Sequence, residues 1–158
     1  MIWLSPGWPI LSGANVIISP NDQKALFTSI IAVSTALRRS RITLDMIDPL
    51  GARDEKDQHQ QGMNYYEEFL KPVTDAKSVE AGHLALQVIA TNSGGLVLNE
   101  SNDIVGQLNR CIAEAHGYYV LTLDMASTDK PNTYHAIDVK VDVPKETART
   151  RRGYYAQP

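Results

Sequence analysis

The chain has 158 residues, 43% of them hydrophobic and 21% charged, with a net charge of -3. That length suits one domain with a substantial core, and the composition is that of an ordinary globular protein. The charge makes no field that would gather nucleic acid, so a nucleic-acid partner is not expected. Cys111 is the single cysteine, which excludes an internal disulfide. No stretch approaches the roughly 18 apolar residues that span a bilayer. No basic region precedes an apolar core near Met1, so no export signal is read and the compartment stays open.

Met1-Ile-Trp-Leu4 starts at once as an apolar strand, read as short and buried. A buried strand is unusual as a first element, because termini normally fray. The expectation is therefore a longer parent with residues upstream. Ser5-Pro-Gly-Trp-Pro9 ends the strand, since Pro and Gly break a ladder. Ser19-Pro20-Asn21-Asp22 opens a helix, with Ser as cap, Pro at the first helical position and an acid in the first turn. Leu26, Ile30, Val33 and Leu37 recur at helical spacing, and Arg38 and Arg39 suit the carbonyl end of the dipole.

Ile42 to Ile47 reads as a second strand, ended by Asp48-Pro-Leu-Gly51. A polar loop follows from Ala52 to about Tyr65, and Tyr65 to Leu70 suits a short helical turn. Ser78 opens another helix, with Val79, Leu86, Ile89 and Ala90 on one side and Leu84 and Val88 on another. Apolar coverage that wide predicts a largely buried helix. Gly94-Gly95 stops it where a left-handed residue is needed. Leu96 to Leu98 is a third strand, and Ser101-Asn102 caps a third helix with Ile104, Leu108, Cys111 and Ala115 in one stripe. Strand and helix alternating in this way predicts parallel strands.

The pattern then changes. Ile137, Val139, Val141 and Val143 alternate with Asp138, Lys140 and Asp142, as Tyr119, Leu121 and Leu123 alternate with their neighbours. Such alternation predicts antiparallel strands with one wet face. The turn-rich linker 127–132 joins the two runs.

Chemistry-bearing candidates are few. Ser5, Asp48 and Asn99 fall at the carboxyl ends of the three expected parallel strands, the usual ligand edge of an open α/β sheet. Asp54, Glu55, Asp57 and His59 gather oxygen and nitrogen donors on the polar loop, where hard cations could bind. That loop lacks the spacing and glycine of an EF-hand, and a solvated loop is the simpler reading. Ser5, Asp48, Asp54 and His59 are thus the metal candidates, and no catalytic or cofactor-binding residue is assigned. There is no Gly-x-Ser-x-Gly elbow, P-loop or Gly-x-Gly-x-x-Gly. Cys111 sits on the apolar stripe of its helix, which argues for packing. His83 reads as a satisfied core or edge histidine, and His116 as a helix-end residue whose protonated form the dipole favours. Arg149, Arg151 and Arg152 with Tyr154 and Tyr155 suit an edge strand protected by charge better than a nucleic-acid stripe.

Three segments carry a family resemblance. They are Leu84 to Gly95, Ser101 to Tyr119, and Tyr134 to Ile137 with Ala148-Arg-Thr-Arg-Arg-Gly-Tyr-Tyr155. Together they resemble the C-terminal half of the von Willebrand factor A (vWA) related family abundant in acidobacteria, from about residue 84 onward. Residues before that match more weakly, as strands four and five of the vWA sheet. The resemblance implies a three-layer, Rossmann-like parallel sheet, a protein-binding role without catalysis, and a parent that is often exported. The family's Ser-Asp-Gly stands here as Ser5-Pro6-Gly7, and Pro cannot ligate. No Asp-x-Ser-x-Ser is present; Asp124-Met-Ala-Ser127 is one residue out of spacing. The resemblance therefore implies Mg only where an upstream half supplies its ligands.

The fold expected is a truncated α/β three-layer unit over 1–116 with an antiparallel extension over 117–158 packed on the same domain. The function expected is protein–protein interaction or scaffolding. The alternative is a small α/β metal-dependent hydrolase-like enzyme using the 48–59 acidic loop. A missing upstream neighbour would leave Ile2 to Leu4 as an apolar edge, and such edges pair with other chains, so a homodimer is expected there.

Overall fold

The structure is a computed structural model that describes residues 1–7, 18–50, 65–99, 101–123, 130–143, 145–146 and 148–157. It is mixed α/β. Strands β1 (Ile2–Leu4), β2 (Asp45–Ile47) and β3 (Val97–Leu98) form a parallel sheet in that spatial order. The helices are α1 (Pro20–Arg39), α2 (Leu86–Asn92) and α3 (Ile104–His116). A separate antiparallel ribbon joins β4 (Tyr134–Ala136) and β5 (Gly153–Tyr155).

β2 lies in the middle of the parallel sheet, and its successive side chains point to opposite faces. Met46 packs with Leu44 and with Leu86 and Ala90 of α2. Ile47 packs with Leu96, Leu98 and Cys111 of α3. One helix thus covers each face, and the burial of Leu44, Met46 and Ile47, with Asp45 half-buried between them, is what a doubly covered parallel strand requires. β1 has no such cover. It reads as buried from its sequence, yet Met1, Ile2, Trp3 and Leu4 are 55%, 36%, 39% and 50% exposed. The correction has a plain cause: β1 is an edge strand, and no helix packs extensively on it among the described residues.

α1 forms where expected. The Ser19 hydroxyl accepts from the Asp22 N–H (3.3 Å), Pro20 fills the first position, and Arg38 and Arg39 occupy the last turn. It ends in a left-handed cap. Ile42 N–H donates to Leu37 O and Arg41 N–H to Arg38 O, with Arg41 at φ 53° where glycine is the usual occupant. Its main neighbours are β5 and the 3-10 turns Ala76–Ser78 and Ala81–Leu84, not the parallel sheet.

The single helix expected from Ser78 is broken into pieces. Ala76–Ser78 and Ala81–Leu84 are 3-10 turns, and Ala85 is extended before α2 begins. Asp75, not Ser78, caps the first piece, accepting from Lys77 N–H (2.8 Å) and Ser78 N–H (3.1 Å). Val79, Ala81, Leu86, Val88 and Ala90 are buried all the same. The sequence pattern reports burial here, and the apolar spacing is too dense to distinguish one helix from consecutive turns. The cap of α3 is also shifted. Asp103 accepts from Gly106 N–H (2.9 Å), while Ser101 Oγ accepts from Asp103 N–H (3.0 Å).

The antiparallel pair differs from the one expected. Residues 119–123 and 137–143 form no strand, and Tyr119, Leu121, Val141 and Val143 are exposed. Alternation makes a strand possible, but it needs a partner with matching anchors. Those anchors lie one segment away. Tyr134 opposes Tyr155 and His135 opposes Tyr154, with the latter rings stacked at 5.1 Å. Tyr155 also meets Phe27 and Tyr134 edge-on and donates its hydroxyl to Val73 O (2.9 Å).

Candidate functional site

Register places the three strand-end residues in one row. Leu4 pairs with Ile47 and Ile47 with Leu98, so Ser5, Asp48 and Asn99 follow side by side at the carboxyl edge. The ladder continues through them: Ser5 N–H donates to Ile47 O (3.0 Å) and Asp48 N–H to Leu98 O (2.8 Å). The side chains, however, turn their own loops. Ser5 Oγ donates to Gly7 O (3.3 Å) and accepts from Gly7 N–H (3.2 Å). Buried Asp48 accepts from Leu50 N–H (2.9 Å). Both are turn motifs in which a short polar side chain stands in for backbone.

Asp54 and His59, the remaining metal candidates, lie outside the described residues, as do Glu55, Asp57 and Ser127. Among the described residues no three His, Cys, Asp or Glu side chains gather closely enough to hold a metal ion. Cys111 is buried in the α3 side of the core, and burial pushes its thiol pKa up, with Asp45 adding to the effect. A thiol held protonated is a packing group. His83 Nδ1 accepts from Glu80 N–H (3.0 Å) and its ring meets Phe69 edge-on. Burial lowers its pKa, so the neutral ring is favoured. His116 donates from Nδ1 to Ile112 O (2.8 Å) in the last turn of α3.

The tail holds an edge strand, β5, as its sequence suggests, but its arginines have another role. Arg149 donates to Gly94 O (2.7 Å) and pairs with Glu114. Arg151 donates to Ile42 O (3.0 Å), and Arg152 N–H to Asn92 O (3.4 Å). These groups bind the tail to the ends of α1 and α2 rather than repelling an intruding strand. Gly94, at φ +86°, lets the tail approach: a Cβ there would meet the Thr150–Arg151 backbone at 2.8 Å.

The tail closes a cleft against α1. Its walls include Ile30, Val33 and Leu37 of α1, Leu70 and Val73 from the connecting turns, and Tyr134, Arg151 and Tyr155 from the tail. Its cavity volume is only about 50 Å³. Nothing in the sequence marks it, because it is built from five separated segments.

Among the described residues, apolar side chains are exposed in two runs of the backbone that no helix covers closely. One is β1. The other is the extended run after α3, where Tyr118, Tyr119, Val120, Leu121 and Leu123 are all exposed. No helix among the described residues is long and apolar enough to cross a membrane. Comparison with known protein families, with curated proteins and with solved structures gave no match to this chain.

Proposed function

We propose that this chain is a non-catalytic protein-interaction module of vWA type that associates through the free edge of β1. One observation carries the reading: Ile2 and Leu4 of β1 are exposed, and among the described residues no strand pairs with their outer edge. Met1 O accepts from Asp45 N–H (2.8 Å) and Ser5 N–H donates to Ile47 O. In a parallel ladder alternate residues face the partner, so the Ile2 and Leu4 backbone groups point outward. Apolar side chains and unpaired backbone on one edge are the usual template for strand addition. A second copy of the chain presents the same edge and is the occupant we infer. The vWA part rests on the sequence resemblance and is supported by parallel strands with a helix on each face.

A second reading is a metal-dependent hydrolase-like enzyme acting through the 48–59 loop. The neighbouring register of Ser5 and Asp48 favours it. Light scattering with and without excess Mg or Ca, paired with a thermal melt, separates the two. The module reading expects a metal-independent dimer, and Leu4→Lys should return it to monomer while shifting the monomer's stability by less than about 0.5 kcal/mol. A monomer at all concentrations would sink self-association. A monomer whose melt rises with added cation would favour the enzyme.

A further inference from the structure

The run after α3, Tyr118-Tyr-Val-Leu-Thr-Leu123, forms no strand, and Tyr119, Leu121 and Leu123 are 97%, 68% and 60% exposed. Aromatic and branched residues without a charge favour a strand, and this much contiguous apolar surface is more than a lone chain usually leaves uncovered. Chain topology assigns the run a place. α2 packs on the Met46 face and carries the chain outward from β2 to β3, whereas α3 packs on the Ile47 face. Parallel crossovers are right-handed, so a helix on the opposite face reverses the direction of travel along the sheet. The strand that follows α3 is therefore sent back past β2 and β1, to the outer edge of β1. α3 lies over β2, along that path. Its last turn is held at the start of the strands: Glu114 pairs with Arg149, which donates to Gly94 O just ahead of β3. A strand leaving from there runs parallel to β1. From above β2, two strand spacings sideways and one layer down is about 14 Å, or about four extended residues. Gly117 to Val120 cover that distance. Leu121-Thr-Leu123 then stand against β1, whose own length is three residues.

We infer that Leu121-Thr-Leu123 is a strap for the β1 edge of its own chain, and that closing it excludes a second copy. The inference rests on association through β1 and supplies the regulation of that edge. The structure holds the open form, in which strap and edge are both exposed. In the closed form the strap adds to the sheet as a fourth parallel strand and takes up the outward backbone groups of Ile2 and Leu4. Only open chains associate, so the apparent affinity between copies falls with the fraction that is open. A tethered segment competes well, because its effective concentration is about millimolar.

Sedimentation equilibrium of the full chain carrying Val120→Pro with Leu121→Pro tests it. Neighbouring N–H groups of a strand face opposite sides, so the double change removes a pairing donor whichever way the strap lies. Both side chains are exposed, and circular dichroism checks that the fold is native. Opening the strap should tighten self-association about tenfold, the factor for a chain that is open about a third of the time. Leu4→Pro, which removes an outward N–H of β1, should abolish association with or without the strap changes. Unchanged or weaker association of the strap variant would overturn the strap while leaving association through β1 standing. If neither protein associates, association through β1 falls, and hydrogen exchange decides the strap. Amides of 121–123 slowed about threefold in the unaltered chain and released by Leu4→Pro would support it; amides that exchange freely in both would overturn it.

Discussion

β2 and β5 are both three-residue strands, yet they are fixed in place by different forces. β2 is covered on each face by aliphatic side chains, with Met46 and Ile47 fully buried. β5 is held by reach: the Tyr155 hydroxyl on Val73, the Arg151 guanidinium on Ile42, and ring contacts with Phe27 and Tyr134. The first mode is non-directional and scales with area; the second depends on a few oriented bonds. A short strand can be held either way, but only the first leaves a strong trace in the hydropathy pattern.

The comparison can be broken most severely on the β2 side. Leu86 is fully buried against Met46, so Leu86→Ala should remove about 3 kcal/mol of stability. Urea unfolding followed by circular dichroism measures it, and a loss under about 1 kcal/mol would mean the α2 contact is not central.

On the β5 side the expected loss is smaller. Tyr155→Phe leaves Val73 O without its donor and should cost about 1 to 2 kcal/mol. The same residue predicts an alkaline weakness. Burial, with Tyr134 adding to it, pushes the Tyr155 pKa up to about 12. The unfolded tyrosine titrates at about 10. Between those values the folded chain keeps a proton that the unfolded chain has lost, so stability falls as pH rises through that window. Thermal melts from pH 9 to about 12 should show a steeper decline in the unaltered protein than in Tyr155→Phe. Tyr134, also raised by burial, retains its own share of the decline in the variant. Parallel curves would mean that Tyr155 is not buried as described.

The smallest effect lies where the two regions meet, at the cap of α1. Arg41 holds φ 53°, a conformation that strains a residue with a Cβ. Arg41→Gly should raise stability by about 0.5 kcal/mol, since relief of strain is partly offset by the freer unfolded chain. A loss instead would show that the Arg41 side chain contributes more than its backbone costs.

Legibility followed the same division. The parallel strands and the entry of α1 were visible because Leu44-Asp-Met-Ile47, Leu96-Val-Leu98 and Ser19-Pro20 encode burial and capping locally. Ser5, Asp48 and Asn99 were correctly foreseen at strand ends, and register sets them abreast. Tyr134 to Ile137 and the tail to Tyr155 were legible as closing strands, and they pair; the runs at 119–123 and 137–143 were misread as strands because Val139, Val141 and Val143 alternate well but have no anchor. The cleft was hidden because the approach of Arg151 to Ile42 is a fact of tertiary distance, 109 residues apart in sequence. The loop candidates Asp54 and His59 fall outside the described residues.

That long separation also bears on the order in which the molecule can assemble. The α1 wall carrying Ile30, Val33 and Leu37 is synthesised early, but the residues that close over it, Arg151 and Tyr155, emerge more than a hundred positions later. Until then the helix has only the 3-10 turns Ala76–Ser78 and Ala81–Leu84 to pack against, and the side that meets β5 stays open. Contacts of such high sequence separation are slow to form, because chain closure must precede any gain from them. A nascent chain stalled before residue 149 would present this wall, together with the β1 edge, to whatever holdase or neighbouring chain met it first.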